Sequence, residues 1–183
     1  MAVVGLTSTL KNYNVAGAFL SSETTESYAW GVAQLAKLFV QVGCQPSCIV
    51  TDRELALMHA CESLFPTTQF LLCRRHVKKN IEDYAIKAAS SKLHGTQLAN
   101  AYYGLFKQTT LFDYERRLGL IKHEWRNYQK VHDYVEKRWL GPFKQRIVSA
   151  WTDKYFNLGQ NTTNRYILKF SFNTLNRGLY CDS

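Results

Sequence analysis

The chain has 183 residues, of which 46% are hydrophobic and 14% aromatic, so it can build one domain with a real core and is not disordered by composition. Lys and Arg number 23 against 14 Asp and Glu, which gives a formal net charge of +9. A polyanion, most often nucleic acid, is the expected partner of such a basic domain, although a protein can be basic without one. No apolar run is long enough to span a membrane, so no membrane partner is expected.

The cysteines and the N-terminus indicate the compartment. The five cysteines are odd in number and show no regular disulfide framework, so we expect free thiols in a reducing compartment. The start of the chain, Met1–Gly5, lacks a basic leader and an apolar segment of sufficient length, so no signal peptide is expected.

The first elements are a hairpin and a helix. Two short runs, Ala2–Leu6 and Tyr13–Leu20, flank a polar turn and predict an antiparallel pair of strands. The stretch Ser21–Glu26 combines threonines with acids and predicts a helix start. Gly43 is a plausible stop signal, so the helix should run to about Val42.

The next segments alternate between strand and helix. The apolar run around Ile49 predicts a strand buried on both faces, and Asp52 stands where that strand ends. An amphipathic helix over Glu54–Leu64, a strand over Gln69–Cys73 and a basic helix over Arg74–Ala89 follow. This order predicts an α/β domain with parallel pairing after the initial hairpin.

Beyond residue 90 the strand signal fades and aromatic-rich helices are predicted. Gly141 and Pro142 interrupt the pattern, and Tyr166–Leu175 is apolar but does not distinguish a strand from a helix. The predicted helices span Leu98–Gln108, Leu111–Leu120, Ile121–Leu140 and Phe143–Phe156.

Asp52 has two interpretations. An acid at the carboxyl end of a buried strand lies where open α/β sheets place their chemistry, so its carboxylate could face solvent, a metal or a phosphate. Asp is also a preferred N-cap residue, so Asp52 could simply cap the helix that follows.

The cations and the Cys-x-x-His pair also have two interpretations each. Cys73 and His76 are half of a zinc site, which needs four ligands, or a packed pair without a metal. The basic residues could contact phosphates or form solvated helix faces. They fall into two sets, Arg74, Arg75, Lys78 and Lys79, and then Lys137, Arg138, Lys144, Arg146 and Lys154 among aromatic residues.

Several motifs, in order, resemble the Mutator-like-element (MULE) transposase domain, whose relatives include the transposase-derived far-red-response regulators of plants. Leu71–Asn80 is similar to the Cys-x-x-His motif of that family. The resemblance covers nearly the whole chain, and the ordered set is more specific than any single motif. The other matching stretches are Val4–Thr9, Ala18–Glu23, Ile49–Met58, Trp139–Pro142, Ala150–Asp153 and Thr162–Arg165.

The resemblance implies an RNase H-like mixed sheet flanked by helices, with an inserted helical region. It divides the chain into an RNase H-like α/β core over 1–92, a helical insertion over 93–160, and a remnant of the last catalytic helix with a tail over 161–183. It further implies a nuclear protein that acts on DNA, and it is compatible with a homo-oligomer.

The same resemblance implies two-metal DNA cutting and joining by an Asp, Asp, Glu triad with Mg²⁺ or Mn²⁺. Asp52 matches the second Asp, as a catalytic residue and metal ligand, while Cys73 and His76 form the family motif. DNA contacts are expected from Arg74, Arg75, Lys78, Lys79, Lys144 and Arg146.

Two departures from the family pattern bear on activity. The first Asp belongs to a strand that would precede Met1, and Ile167 stands where the Glu is expected, after Tyr166. Asp52 alone cannot hold two hard cations, each of which takes several oxygen ligands. We therefore expect a truncated, inactive transposase domain, with a domesticated non-catalytic DNA-associated regulator or protein-interaction module as the alternative. Loss of the first strand is expected to leave unpaired backbone edges in the sheet.

Overall fold

The computed structural model describes residues 1–6, 12–155 and 168–171. Their strands form one five-stranded mixed sheet in the order β2-β1-β5-β3-β4. The pairs β1–β2 and β3–β5 are antiparallel, and the pairs β1–β5 and β3–β4 are parallel. The strands are β1 Ala2–Leu6, β2 Asn12–Gly17, β3 Cys48–Thr51, β4 Gln69–Leu72 and β5 Leu168–Ser171.

Helices make up most of the remaining described chain, and the alternation of strands and helices up to α3 confirms the predicted α/β class. None of the helices in the described ranges is long and apolar enough to cross a membrane. A 3₁₀ turn, Arg126–Tyr128, and a π-helical segment, Glu136–Leu140, precede and follow α6. The α-helices are α1 Thr25–Gln41, α2 Leu55–Leu64, α3 Arg74–Ala89, α4 Lys92–Leu105, α5 Leu111–Glu124, α6 Gln129–Val135, α7 Gly141–Ile147 and α8 Ser149–Thr152.

The predicted hairpin and first helix are confirmed. Strands β1 and β2 pair antiparallel, with a register shift between Val3 and Val4, while the turn between them lies outside the described residues. Helix α1 is capped by Thr24, whose side chain accepts from the N–H of Ser27. The helix ends before Gly43, whose φ of +64° lies in the left-handed region that glycine adopts without strain.

The sheet connects two hydrophobic cores. Ile49 of β3 is fully buried in one core, with the apolar stripe of α1 and Leu57 of α2. Leu72 at the end of β4 belongs to the other core, which contains Ile81 of α3 and Tyr102 of α4. The strand ends of β3 and β4 therefore lie at the junction between the sheet and the helical region.

Strand β5 corrects one expectation. It lies between β1 and β3 and pairs with both, so the edges that a lost first strand was expected to leave open are paired. Its four residues are the described part of the segment 161–183, for which the resemblance implied a helix remnant and a tail. Leu168-Lys169-Phe170-Ser171 alternates apolar and polar residues, which suits a strand, and the unpaired groups of β1 and β3 favour pairing.

The helical region differs from its predicted boundaries. Helix α7 begins at Gly141, where a break was predicted, and ends at Ile147, well short of the predicted Phe156. The chain turns away there because Ser149 and the residue after it donate their N–H groups to the carbonyls of Phe106 and Gln108. These bonds tie the chain to the end of α4 and end the continuous helix.

Candidate nucleic-acid and metal site around Asp52

Asp52 follows β3, an interior strand of the sheet, as predicted. All four residues of β3 are buried, and β3 and β4 run parallel, so their carboxyl ends meet at the same edge of the sheet. The N–H of Cys73 donates to the carbonyl of Thr51 at 2.7 Å, which holds the two strand ends together. Asp52 and the N-terminus of α3 therefore line one cavity of about 250 Å³.

The capping interpretation of Asp52 is wrong. The N-cap of α2 is Glu54, whose carboxylate accepts from the N–H of Ala56 at 3.3 Å. Asp52 stands two residues before that position and is one of the residues that line the cavity. Its Oδ1 is buried and has no hydrogen-bond partner among the described residues.

The cavity makes the Asp52 carboxylate costly to ionise. Burial raises its pKa, and the nearby Glu54 raises it further, while the charge of His76 and backbone N–H groups act in the opposite direction. A buried acid with a raised pKa in a cleft is a common feature of functional sites. Structural networks also shift pKa values, so the geometry of the neighbours has to support this inference.

Two neighbours that the sequence did not indicate line the same cavity. The guanidinium carbon of Arg53 lies 5.3 Å from the centroid of the Trp139 ring and 5.4 Å from that of Phe143. Both Arg53 Nε and Trp139 Nε1 are buried donors that have no hydrogen-bond partner in the described part of the chain. The signal for Trp139 was the Gly141-Pro142 pair that follows it, because a proline inside a helix disturbs the preceding turn.

The family motif is divided between a buried and a cavity-lining residue. Cys73 is fully buried and is the N-cap residue of α3, and His76 lies in the first turn of that helix and lines the cavity. Among the described residues, no group of three or more His, Cys, Asp or Glu is placed to hold a metal. The pair is therefore not completed to a zinc site by any described residue.

Arg74 is not placed to bind DNA, contrary to expectation. Its side chain is buried and donates from Nε to the carbonyl of Ile147 and from Nη2 to the hydroxyls of Ser149 and Thr152. This arginine ties the start of α3 to the segment that follows α7. We therefore leave it out of the phosphate contacts proposed below.

The other predicted cations differ in their exposure and in the contacts that they make. Arg75 is exposed, and Lys78 is half-buried with its Nζ 5.8 Å from the centroid of the Tyr103 ring. Lys79 pairs with Asp83, Arg146 pairs with Glu62, and the Lys144 ammonium lies 5.7 Å from the Trp151 ring centroid. The π-helical segment adds exposed Lys137 and Arg138, and Lys154 is also exposed.

The carboxylates at the cavity do not fit a two-metal centre. Asp52 offers oxygen ligands, but Glu54 is occupied as the cap of α2, and the described chain brings no third acid to them. One carboxylate with water and phosphate oxygens suits at most a single Mg²⁺. The position of the expected Glu, at Ile167, lies outside the described residues.

Comparison with known proteins identifies a family over the first part of the chain. Residues 1–80 match the family model of the MULE transposase domain. No curated protein and no solved structure matches the chain. The resemblance to the MULE transposase domain is therefore confirmed over residues 1–80, the segment that carries Asp52, Cys73 and His76.

Proposed function

We propose that this chain is a MULE-type transposase catalytic domain by descent, which binds DNA through its phosphates and does not cut or join DNA by itself. The observation that carries this proposal is Asp52, a half-buried acid that follows an interior strand and lines a cavity, with its Oδ1 buried and without a partner among the described residues. The family match includes this residue.

An RNase H-like arrangement of the core is part of the proposal. It is supported by the mixed sheet, in which an antiparallel hairpin precedes the parallel pair β3–β4, and by the helices that follow the sheet. Under this arrangement Asp52 corresponds to the second acid of the triad. The nucleus is the proposed location, because DNA is the proposed partner.

DNA binding is supported by charge. The chain carries a formal net charge of +9, and the exposed Arg75, Lys137 and Arg138 belong to elements that also line the cavity. Contacts of this kind are independent of sequence and weaken with salt. Fluorescence anisotropy with duplex DNA should show weak binding at low salt that is lost as the salt concentration rises. A lack of binding at low salt would refute the proposal that the chain binds DNA.

The lack of catalysis follows from the ligand count. Two-metal catalysis needs several carboxylates around ions about 3.5–4 Å apart, and the described residues supply there only the Asp52 carboxylate besides the capping Glu54. Cleavage and joining assays with Mg²⁺ and with Mn²⁺ should show no activity for the chain or for Asp52→Ala. Metal-dependent activity that disappears in Asp52→Ala would show that other residues complete the site, and the proposal of an inactive domain would fail.

A second candidate, a non-catalytic regulator that binds DNA, is favoured by the same count of acids. It differs from the first only in biological role. Both predict DNA binding without catalysis.

A further inference from the structure

We propose that a groove between α3 and α6, separate from the Asp52 cavity, binds single-stranded DNA by stacking a base on a pair of tyrosine rings while lysine and arginine side chains contact the phosphates. This inference rests on the proposed function, because it names the form of DNA that a second surface of the chain recognises. The two tyrosines, Tyr84 and Tyr134, are not part of the motifs that carry the resemblance.

The groove combines aromatic rings with positive charge. It has a volume of about 440 Å³ and lies between α3, α6 and the π-helical segment that follows α6. Two half-buried tyrosines, three exposed cations and one exposed acid line it: Tyr84, Tyr134, Lys130, Lys137, Arg138 and Asp133. Surfaces that bind single strands have this composition, because bases stack on the rings while the phosphates meet the cations.

The two rings form a stack that a base can extend. The ring centroids of Tyr84 and Tyr134 lie 4.0 Å apart, and the ring planes differ by only 6°. Both side chains also pack against the helical core, so the rings are held in place before a ligand binds. A preformed stack lowers the entropic cost of binding, and a base added to it would continue the same face-to-face arrangement.

The charges at the groove favour a polyanion. Lys130, Tyr134 and Arg138 follow one another at intervals of four residues, so two of the cations share a helix face with the ring. Asp133 opposes an anion, but its Oδ1 accepts from the side-chain amide of Gln129 at 2.8 Å, and three cations outnumber it. The net charge at the groove is therefore positive.

The tyrosine stack favours a single strand over a duplex. The bases of a duplex are stacked on one another, so their faces are not available to a protein ring, whereas an unpaired strand can turn a base onto the ring. The phosphate contacts are common to both forms of DNA and do not distinguish them. Stacking is therefore the interaction that the experiment has to isolate.

The groove adjoins the Asp52 cavity without being part of it. Arg138 lines the groove, and the next residue, Trp139, lines the cavity. Burial lowers the pKa of Arg53, which also lines the cavity, and the nearby charge of Arg138 lowers it further, while the Tyr134 hydroxyl raises it. A strand held in the groove would therefore lie next to the cavity.

The test measures the fluorescence anisotropy of labelled oligonucleotides with the whole chain. The probes are a short thymidine strand, an abasic strand with the same number of phosphates, and a duplex. Because one base stacked on an aromatic side chain strengthens binding by about 5-fold or more, the thymidine strand should bind at least about 5-fold more tightly than the abasic strand.

Two variants test the rings and the cations. Tyr134→Leu keeps an apolar side chain but removes the ring, so it should lose most of the preference for the thymidine strand. The matched control is Tyr155→Leu, because Tyr155 is an exposed tyrosine that does not line the groove. Lys137→Gln should reduce the slope of log K against log salt by about 0.7, the value of one phosphate contact with a single strand, whereas Lys37→Gln on α1 should leave the slope unchanged.

The outcomes separate the groove from the proposed function. Equal binding of the thymidine and abasic strands, or equal effects of Tyr134→Leu and Tyr155→Leu, would overturn the groove even if duplex DNA binds. Tighter binding of the matching RNA strand would overturn the choice of DNA. If the single strand binds as expected and the duplex does not bind, the groove stands and the proposed binding of duplex DNA fails. If Tyr134→Leu does not fold, the comparison of the two strands with the wild-type chain and the slope for Lys137→Gln still decide the matter.

Discussion

Arg74 offers the sharpest test of how the site is held in place. The arginine begins α3, whose first turns line the Asp52 cavity, and it reaches across to the segment around Ile147. Its three acceptors are the Ile147 carbonyl and the hydroxyls of Ser149 and Thr152, all in buried residues. Arg74→Met keeps most of the apolar stem and removes all three bonds.

The expected loss can be worked from these contacts. A hydrogen bond to a charged group contributes about 1.5–3 kcal/mol, but three bonds to one guanidinium are not additive, and burying the charge itself costs free energy. Arg74→Met also leaves the Ile147 carbonyl buried without this donor. We expect the free energy of unfolding to fall by about 2–4 kcal/mol.

Urea unfolding followed by circular dichroism measures this change. With a slope of about 2 kcal/mol per molar urea, the midpoint should fall by about 1–2 M. The matched control is Arg75→Met, because Arg75 is the exposed neighbour, and the interactions of an exposed charge contribute at most about 1 kcal/mol to the free energy of unfolding. Equal midpoints for the two variants would refute the anchoring role, and a double-mutant cycle with Ser149→Ala would locate the coupling.

Three further changes test packing, a buried hydrogen-bond chain and the electrostatics of the site. In Gly95→Ala the new Cβ would lie 2.5 Å from a backbone nitrogen of α3, so thermal unfolding should show that the free energy of unfolding falls by about 1–3 kcal/mol. The control is Gly104→Ala, which has open space for the new Cβ and should gain stability. Tyr102→Phe removes the 2.7 Å hydrogen bond between the Tyr102 hydroxyl and Nδ1 of the buried His132. Urea unfolding should show that the free energy of unfolding falls by about 1–3 kcal/mol. Asp52→Asn should raise stability at pH 7, because burial raises the pKa of Asp52 and its ionised form costs stability above the unfolded pKa. The advantage of Asp52→Asn should shrink toward pH 4, where the native acid takes up its proton, and a destabilised Asn variant at pH 7 would contradict this reasoning.

The parts of the fold that the sequence predicted are those set by neighbouring residues. The β3 strand, the acid after it and the helix that follows are local signals, and the stop at Gly43 depends on one residue with a positive φ. Strand β5 could not be predicted in the same way. Its pairing with β1 and β3 joins opposite ends of the chain, and four alternating residues do not specify their partners.

The cavity is also lined by residues of both kinds: some follow local sequence signals, and others come from segments distant in sequence. The sequence indicated Asp52 and His76, which follow the ends of adjacent strands, but it did not place Trp139 of the helical region at the same cavity. It also grouped Arg74 with the surface cations, because a run of charges on a helix does not reveal which one points inward. Only the acceptors near Ile147, distant in sequence, determine that Arg74 is buried.

The distinction between a cap and a site residue depends on where the carboxylate finds its donors. A capping acid accepts from the first N–H groups of its helix, and Glu54 does this for α2. Asp52 instead leaves one oxygen buried without a partner, beside two buried donors that also lack one among the described residues. Asp52 is therefore a residue that lines the cavity and not the cap of α2.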